Sequence, residues 1–414
     1  MEQEEFKRFE SHYGIINLVR TRRFQALMDR LGSTRISKPA GWLLLYAMPV
    51  AAGLGFFLFL SELGILLSPK GVEVASYVRS LSPLANLGLP GINPYLPIVD
   101  GWIALVVAMI IHEGAHGIVA RSLGLPVKAS GLLFFLFVPI GAFVDVDESA
   151  IRTSRPSYSG RVLAAGAGIN LLVGIVCLLL LFGAVSTMKP SADGVGVTGV
   201  YAGAPAANAG IRPGDFIVAV NGIHYDDSAA LESASWYQPG NNITVSIWRN
   251  GVVSNYSITL ASHEFNNTQT GQITYKAFFG IQDQGYPSLQ GFVSAYTGSF
   301  TTRPALYLCI PTLPACQDQV PFSDTLSLLY TSTLGGWLVP TSTLLYWIFF
   351  LNFNLAIFNA LPIYPLDGGQ AFMVGVKALG RGKLSESTLM RITSIATLAV
   401  LALILGVLAS PYFF

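Results

Sequence analysis

Long apolar runs, separated by polar segments of very unequal length, set the pattern of this chain. A helix that crosses a bilayer needs about 20 mainly apolar residues. Residues 41–67, 101–120, 162–186, 336–361 and 392–412 each supply them. Two further apolar stretches are too short to span. Residues 131–144, "GLLFFLFVPIGAFV", hold a proline and glycines between charged flanks and read as a re-entrant hairpin or interfacial loop. "GQAFMVGVKAL", from Gly369, reads as a short half-helix, and residues 1–40 as an amphipathic or loosely ordered basic arm.

Composition sharpens this picture. The chain is 52% hydrophobic and 11% charged, against about a quarter charged in soluble domains. The expected fold class is a polytopic α-helical membrane protein of about five spans plus re-entrant segments, with lipid as its solvent. A net charge of +1 provides no basic surface for nucleic acid.

Lysine and arginine counts orient the spans, because cytosolic loops carry the excess. The arm holds Lys7, Arg8, Arg20, Arg22, Arg23, Arg30, Arg35 and Lys38. The link between the second and third spans holds Arg121, Lys128, Arg152, Arg155 and Arg161, and the link before the last holds Lys377, Arg381, Lys383 and Arg391. All three segments are expected in the cytosol, with the N-terminus. Residues 68–100, the long insert of 187–335 and the C-terminus are then extracytoplasmic.

Within that insert, "GVGVTGVYAGAPAANAGIRPGDFIVAVNG" from Gly194 alternates short β-branched runs with Gly and Pro turns. "NNITVSIWRNGVVSNYSITL" adds two strands around an Asn250-Gly251 turn. The small-residue helix, the "PGD" turn and the "VNG" turn follow in an order that resembles a PDZ domain, which places a small β-rich PDZ-like domain at 190–283. That resemblance implies capture of an extended peptide or chain terminus along a sheet edge. Asn242, Asn255 and Asn266 each begin an Asn-x-Ser/Thr acceptor, in keeping with an outer compartment. Residues 284–335 form a further extracytoplasmic insert in which Cys309 and Cys316 can close a small disulfide loop. Cys177, inside the third apolar run, reads as a packing residue.

The second span contains the chemistry. "IIHEGAHG" puts His112 and His116 four residues apart, hence on one helix face, with Glu113 beside them. His-Glu-x-x-His on a helix is a zinc-binding pattern with two imidazole ligands and a carboxylate as general base. In an apolar run an accident of this kind is expensive, since a Glu at a helix centre costs about 2.5–3.5 kcal/mol. A catalytic zinc takes three protein ligands. His12, His224 and His263 lie in the arm or the insert, so a carboxylate from another span is expected as the third. Asp367, in "NALPIYPLDGGQ", follows a run broken by Pro362 and Pro365; it can serve as that ligand or cap the half-helix after it. The acidic "DVDES", residues 145–149, reads as a solvated loop end.

His112-Glu113-x-x-His116 with Asn359-x-x-Pro362 and Asp367-Gly368 resembles the site-2 protease family of intramembrane zinc metalloproteases. "AAGAGINLLVG" resembles that family's Gly-rich segment ending in Asn, here Asn170, although the usual proline is Ala167. The resemblance implies a catalytic membrane core in two parts, 101–186 and 336–412, holding one Zn2+ on His112, His116 and Asp367. Glu113 is then the general base, and Asn170 and Asn359 donate to the oxyanion or the substrate backbone. Its substrates are single-span membrane proteins, and the 131–144 hairpin pairs with the substrate strand. A PDZ-bearing scaffold without turnover competes with this reading, but Glu113 is intact. A transporter predicts internal repeats, and the sequence contains none.

Overall fold

Ser37–Leu66, Ile98–Ser122, Ala165–Val185, Gly335–Ala360 and Glu386–Tyr412 are the 5 helices long and apolar enough to cross a membrane among the described residues. They coincide with the apolar runs of the sequence, because a helix satisfies every backbone group internally where water is absent. The computed structural model describes residues 9–12, 16–21, 24–135, 138–266, 273–298, 302, 304–381 and 383–413. It divides into one unit of Met1–Leu178 with Tyr346–Phe414 and a second of Leu179–Leu345.

In the first unit small residues bring helices into close contact. Ala47, Met48 and Ala51 of the first span pack with Ala164, Ala167 and Leu171 and with Ala356 and Ala360. A four-stranded antiparallel sheet joins this bundle in the order β1 (Phe9–His12), β2 (Ile16–Thr21), β3 (Val127–Phe135) and β4 (Val138–Val146). The stretch expected as re-entrant is thus a β-hairpin that starts at Val127 and ends at Val146; residues 136–137 at its tip lie outside the described residues.

The arm, expected to be amphipathic or loose, contributes two strands to that sheet. It also forms a helix, Gln25–Gly32, with Met28 buried. Its order comes from a distant partner: β2 pairs with β3, and Gln25 Nε2 donates to the carbonyls of Val127 and Lys128. Beyond β4, Asp147 caps the Glu148–Thr153 helix. Hydrogen bonds from the Ser149 side chain and the Ala150 N–H, with Lys128 nearby, hold its carboxyl down at about 2.

The second unit is built on strands. β5 (Lys189–Pro190) pairs with β14 (Tyr330–Thr331). Between them come β6 (Val195–Val200), β7 (Phe216–Val220), β8 (Ile223–His224), β9 (Asn242–Arg249), β10 (Val252–Thr259), β11 (Ala261–Asn266), β12 (Ile273–Phe278) and β13 (Ile281–Gly285). The main sheet runs β10-β9-β7-β6-β13 with β8 on β7, and β11 pairs with β12. Val195, Val197, Ile217, Val220, Ile243, Val245, Ile247 and Phe279 form its core. Asn250 (φ 50°) and Gly251 (φ 86°) make the tight β9–β10 turn, whose two positive φ angles suit Asn-Gly. Asp215 of the "RPGD" turn is buried and accepts from Arg212 N–H and from Arg249 Nε and Nη2. Asn242 and Asn255 are exposed, while the acceptor beginning at Asn266 runs into residues 267–268, outside the described residues. Past the sheet, Tyr296 packs edge-on against Tyr307 and Phe322, and a disulfide joins Cys309 to Cys316.

Asp283 on β13 gives this unit a pH dependence. Burial pushes its carboxyl up to about 6, and the Glu232 and Asp227 carboxylates add to the shift. Ionisation therefore opposes folding: stability should fall as pH rises from the unfolded value near 4 through 6, and stay lower above. The loss is roughly 1–2 kcal/mol after allowance for partial solvation. Hydrogen exchange of the β6–β13 amides in the full chain should report higher opening free energies at pH 5 than at pH 7.5. Asp283→Asn should abolish the difference; a difference that persists in the variant assigns it to another group.

Candidate metal centre

His112 and His116 lie on the buried face of the Ile98–Ser122 helix, one turn apart as their spacing requires. The third partner arrives through a broken helix. After Ala360 the chain turns through Pro362 and Pro365 and restarts as the helix Asp367–Leu379. The Tyr364 N–H donates to Thr397 Oγ1 of the last span, which fastens this turn. Gly368 and Gly369 let the new helix start against the turn: a Cβ on Gly368 would lie 2.3 Å from the Leu361 carbonyl oxygen, and one on Gly369 2.4 Å from the Tyr364 nitrogen. Asp367 makes no side-chain cap on its own helix. Its carboxylate turns to the histidines instead.

Asp367 Oδ2 stands 3.1 Å from Nε2 of His112 and 3.1 Å from Nε2 of His116. The three ligand atoms all lie within 4.8 Å of one another. Tetrahedral ligands at zinc distances are separated by about 3.3 Å, so the spacing fits one ion. Proton placement points the same way. His116 Nδ1 lies 2.7 Å from the Val162 carbonyl oxygen and therefore carries the hydrogen, which leaves a lone pair on Nε2 of the neutral ring. A lone pair facing a carboxylate is repulsive unless a proton or a metal cation lies between them.

The surroundings meet the same test. Gly166 of the third span borders the rings: a Cβ there would stand 2.4 Å from His112 Nε2 and 2.5 Å from His116 Nε2. Asn170 is fully buried, with its amide 3.2 Å from His112 Nδ1. With nitrogen toward the ring, Asn170 Oδ1 is buried without a partner. A carboxamide's two ends are alike in shape, and with oxygen toward the ring Asn170 accepts the Nδ1–H. That orientation satisfies the oxygen and frees His112 Nε2 as a ligand. The donor set, two imidazoles and a carboxylate, suits zinc.

Glu113 is not among the three ligands; its carboxylate meets the hairpin, where Val144 N–H donates to its Oε2 at 2.9 Å. The structure therefore brings together His112, His116 and Asp367, with Glu113 alongside. Of the two asparagines expected to donate to the oxyanion or the substrate backbone, Asn170 has its amide 3.2 Å from His112 Nδ1, and Asn359 Nδ2 donates to the Leu355 carbonyl of its own helix at 3.1 Å. Three contributors escaped the sequence reading: the Val162 carbonyl, the Val144 N–H and Gly166. The first is a backbone group that any residue supplies and the second one that any residue except proline supplies, so no side chain signals them. Gly166 was visible only as one glycine of a Gly-rich segment.

Three relatives and one family profile match the chain. Zinc metalloprotease Rip1 of Mycobacterium bovis is 25% identical over 379 residues, covering 73% of this chain and 93% of that relative. Zinc metalloprotease RasP of Shouchella clausii is 26% identical over 187 residues, 43% of this chain and 42% of RasP. An uncharacterized protein of Methanocaldococcus jannaschii is 25% identical over 360 residues, 87% of this chain and 77% of the relative. The profile of Peptidase family M50 matches residues 101–405. Since that match takes in both histidines, the broken helix with its aspartate and most of the last span, the chain belongs to Peptidase family M50, the site-2 protease family.

Proposed function

We propose that this zinc metalloprotease is an intramembrane endopeptidase that hydrolyses bonds in or near the transmembrane segments of single-span membrane proteins. One observation carries the reading: Asp367 converges with two histidines that lie inside a helix apolar enough to cross a membrane. A protease of soluble substrates has no use for a site there.

His112, His116 and Asp367 would hold the zinc, which when bound would supply a Lewis acid for the scissile carbonyl and for water near neutral pH. The rest falls to the chain. Glu113 takes a proton from the attacking water and passes it to the leaving amide nitrogen. With its carboxamide oxygen toward the ring, Asn170 holds the Nδ1–H of His112 as the Val162 carbonyl holds that of His116, fixing the tautomers that point Nε2 inward. Strand β4 ends the sheet, and its outer edge lies beside the helix of Glu113. A substrate segment that leaves its helix can add there as a strand, exposing its peptide bonds.

The β6–β13 sheet we read as a PDZ domain on the extracytoplasmic side, holding a peptide or a fresh chain terminus. The short Pro205–Asn208 helix, ending in Gly210 at φ 86°, and the buried Asp215 turn support it. The basic arm and the basic links support a cytosolic N-terminus.

The test uses purified protein in liposomes with a single-span substrate, and mass spectrometry of the products. Cleavage should fall inside or at the border of the span, stop with a zinc chelator and return on adding zinc. Cleavage confined to residues far from the span, or unaffected by chelation, would refute the reading.

A further inference from the structure

We propose that the backbone amide of Val144 aims the Glu113 carboxylate, which makes the β3–β4 hairpin a positioning element for the catalytic base. The inference rests on the protease reading above and deepens it. Val144 N–H donates to Glu113 Oε2 at 2.9 Å. β4 is the outer strand, and Val144 faces Ser130 across the ladder. Alternate residues of an outer strand turn their N–H away from the ladder, and Val144 spends that donor on the carboxylate. A hydrogen bond to an ionised group is about twice as strong as one between neutral groups. With Oε2 held, the other oxygen is the one left to accept a proton.

Both sides of the hairpin hold this contact in place. Toward the helix, Gly117 admits both Met28 and the strand, since a Cβ there would lie 2.5 Å from Met28 Sδ and 3.2 Å from Val144 Cγ1. Away from it, β2 pairs along β3 from Ile16↔Phe135 to Thr21↔Ser130. Gln25 fastens the start of β3 through Val127 and Lys128. These N-terminal supports lie outside the residues matched to the family, 101–405. The arm therefore belongs to the catalytic apparatus through Val144.

Val144→Pro removes the donor at a position where proline is tolerated, an outer strand with its N–H turned from the ladder. Val144→Ala keeps the donor and trims the side chain. Val144→Pro should lose about 10–100-fold in kcat, as supporting groups of metal sites typically do, while KM stays within about two-fold. Zinc content and Tm should match wild type, and Val144→Ala, which keeps the donor, should lose far less kcat than Val144→Pro. A zinc-loaded Val144→Pro protein with unchanged kcat overturns the proposal. So does a loss carried by KM, which would give the amide to the substrate instead.

A second measurement needs neither substrate nor a folded proline variant. In 15N-valine-labelled protein the Val144 amide proton should resonate downfield and move upfield in Glu113→Ala. No movement overturns the proposal. Should wild type cleave nothing while the resonance moves, the protease reading fails and the Val144–Glu113 bond stands.

Discussion

Glu113→Gln is expected to retain one zinc per chain while cleavage of a single-span substrate falls by about 10²–10⁴-fold, the range that proton transfer by a positioned side chain contributes. The two effects separate because Glu113 is not among the three converging ligand atoms, which come from His112, His116 and Asp367. Glutamine has nearly the same shape, and its Oε1 can still accept the Val144 N–H. The hairpin contact survives, and only the basicity is lost. His116→Ala should behave differently: it removes a ligand outright, so zinc and activity disappear together. Metal analysis and product mass spectrometry on the two variants make the distinction. A zinc-loaded Glu113→Gln protein that cleaves at the wild-type rate would remove Glu113 from the mechanism. Loss of zinc in that variant would make the carboxylate a structural part of the site.

That His112, Glu113 and His116 were legible in the sequence follows from their setting. Against lipid-like neighbours an ionisable side chain carries an insertion penalty, so each polar residue in the second span demanded a use. Asp367 was legible for a related reason. Two prolines and two glycines around it break a run that otherwise spans, and irregular backbone is tolerated in membranes only beside a protein-lined cavity. The β6–β13 domain was readable from turn chemistry, above all Asn250-Gly251. Where the structure goes beyond that reading, the controlling partner is distant or carries no side-chain signature. β2 forms because β3, more than a hundred residues away, offers an edge. "INLVRT" alone is too short and too mixed to announce a strand. Asn170 and Asn359 are the same residue type in apolar helices, yet one turns to His112 and the other back to Leu355. Only packing decides between those two directions.

Gly166→Ala should cut zinc affinity by at least about 10–100-fold, the loss typical of disturbing the surroundings of metal ligands, and cleavage should fall with it. The new Cβ would stand 2.4 Å from His112 Nε2 and 2.5 Å from His116 Nε2, in the space that the ligand atoms share. The third span has little room to retreat. Gly168, two residues on, already lies against the first span, where a Cβ would approach the Leu44 carbonyl oxygen to 2.6 Å. The imidazoles must therefore turn, and turning them breaks the Val162 and Asn170 contacts that set their tautomers. Unfolding does not account for this outcome, because alanine is favoured over glycine in a helix by about 1 kcal/mol. Gly174→Ala in the same span is the control: its nearest neighbours would be 3.5 Å away, an ordinary contact. Zinc titrations of both variants, with Tm of the metal-free forms, decide the matter. Full zinc affinity in Gly166→Ala would mean that the ion does not occupy the space between the two rings and Asp367. Loss in both variants would point to the helix as a whole, whereas loss in Gly166→Ala alone assigns the missing side chain at 166 to making room for the metal.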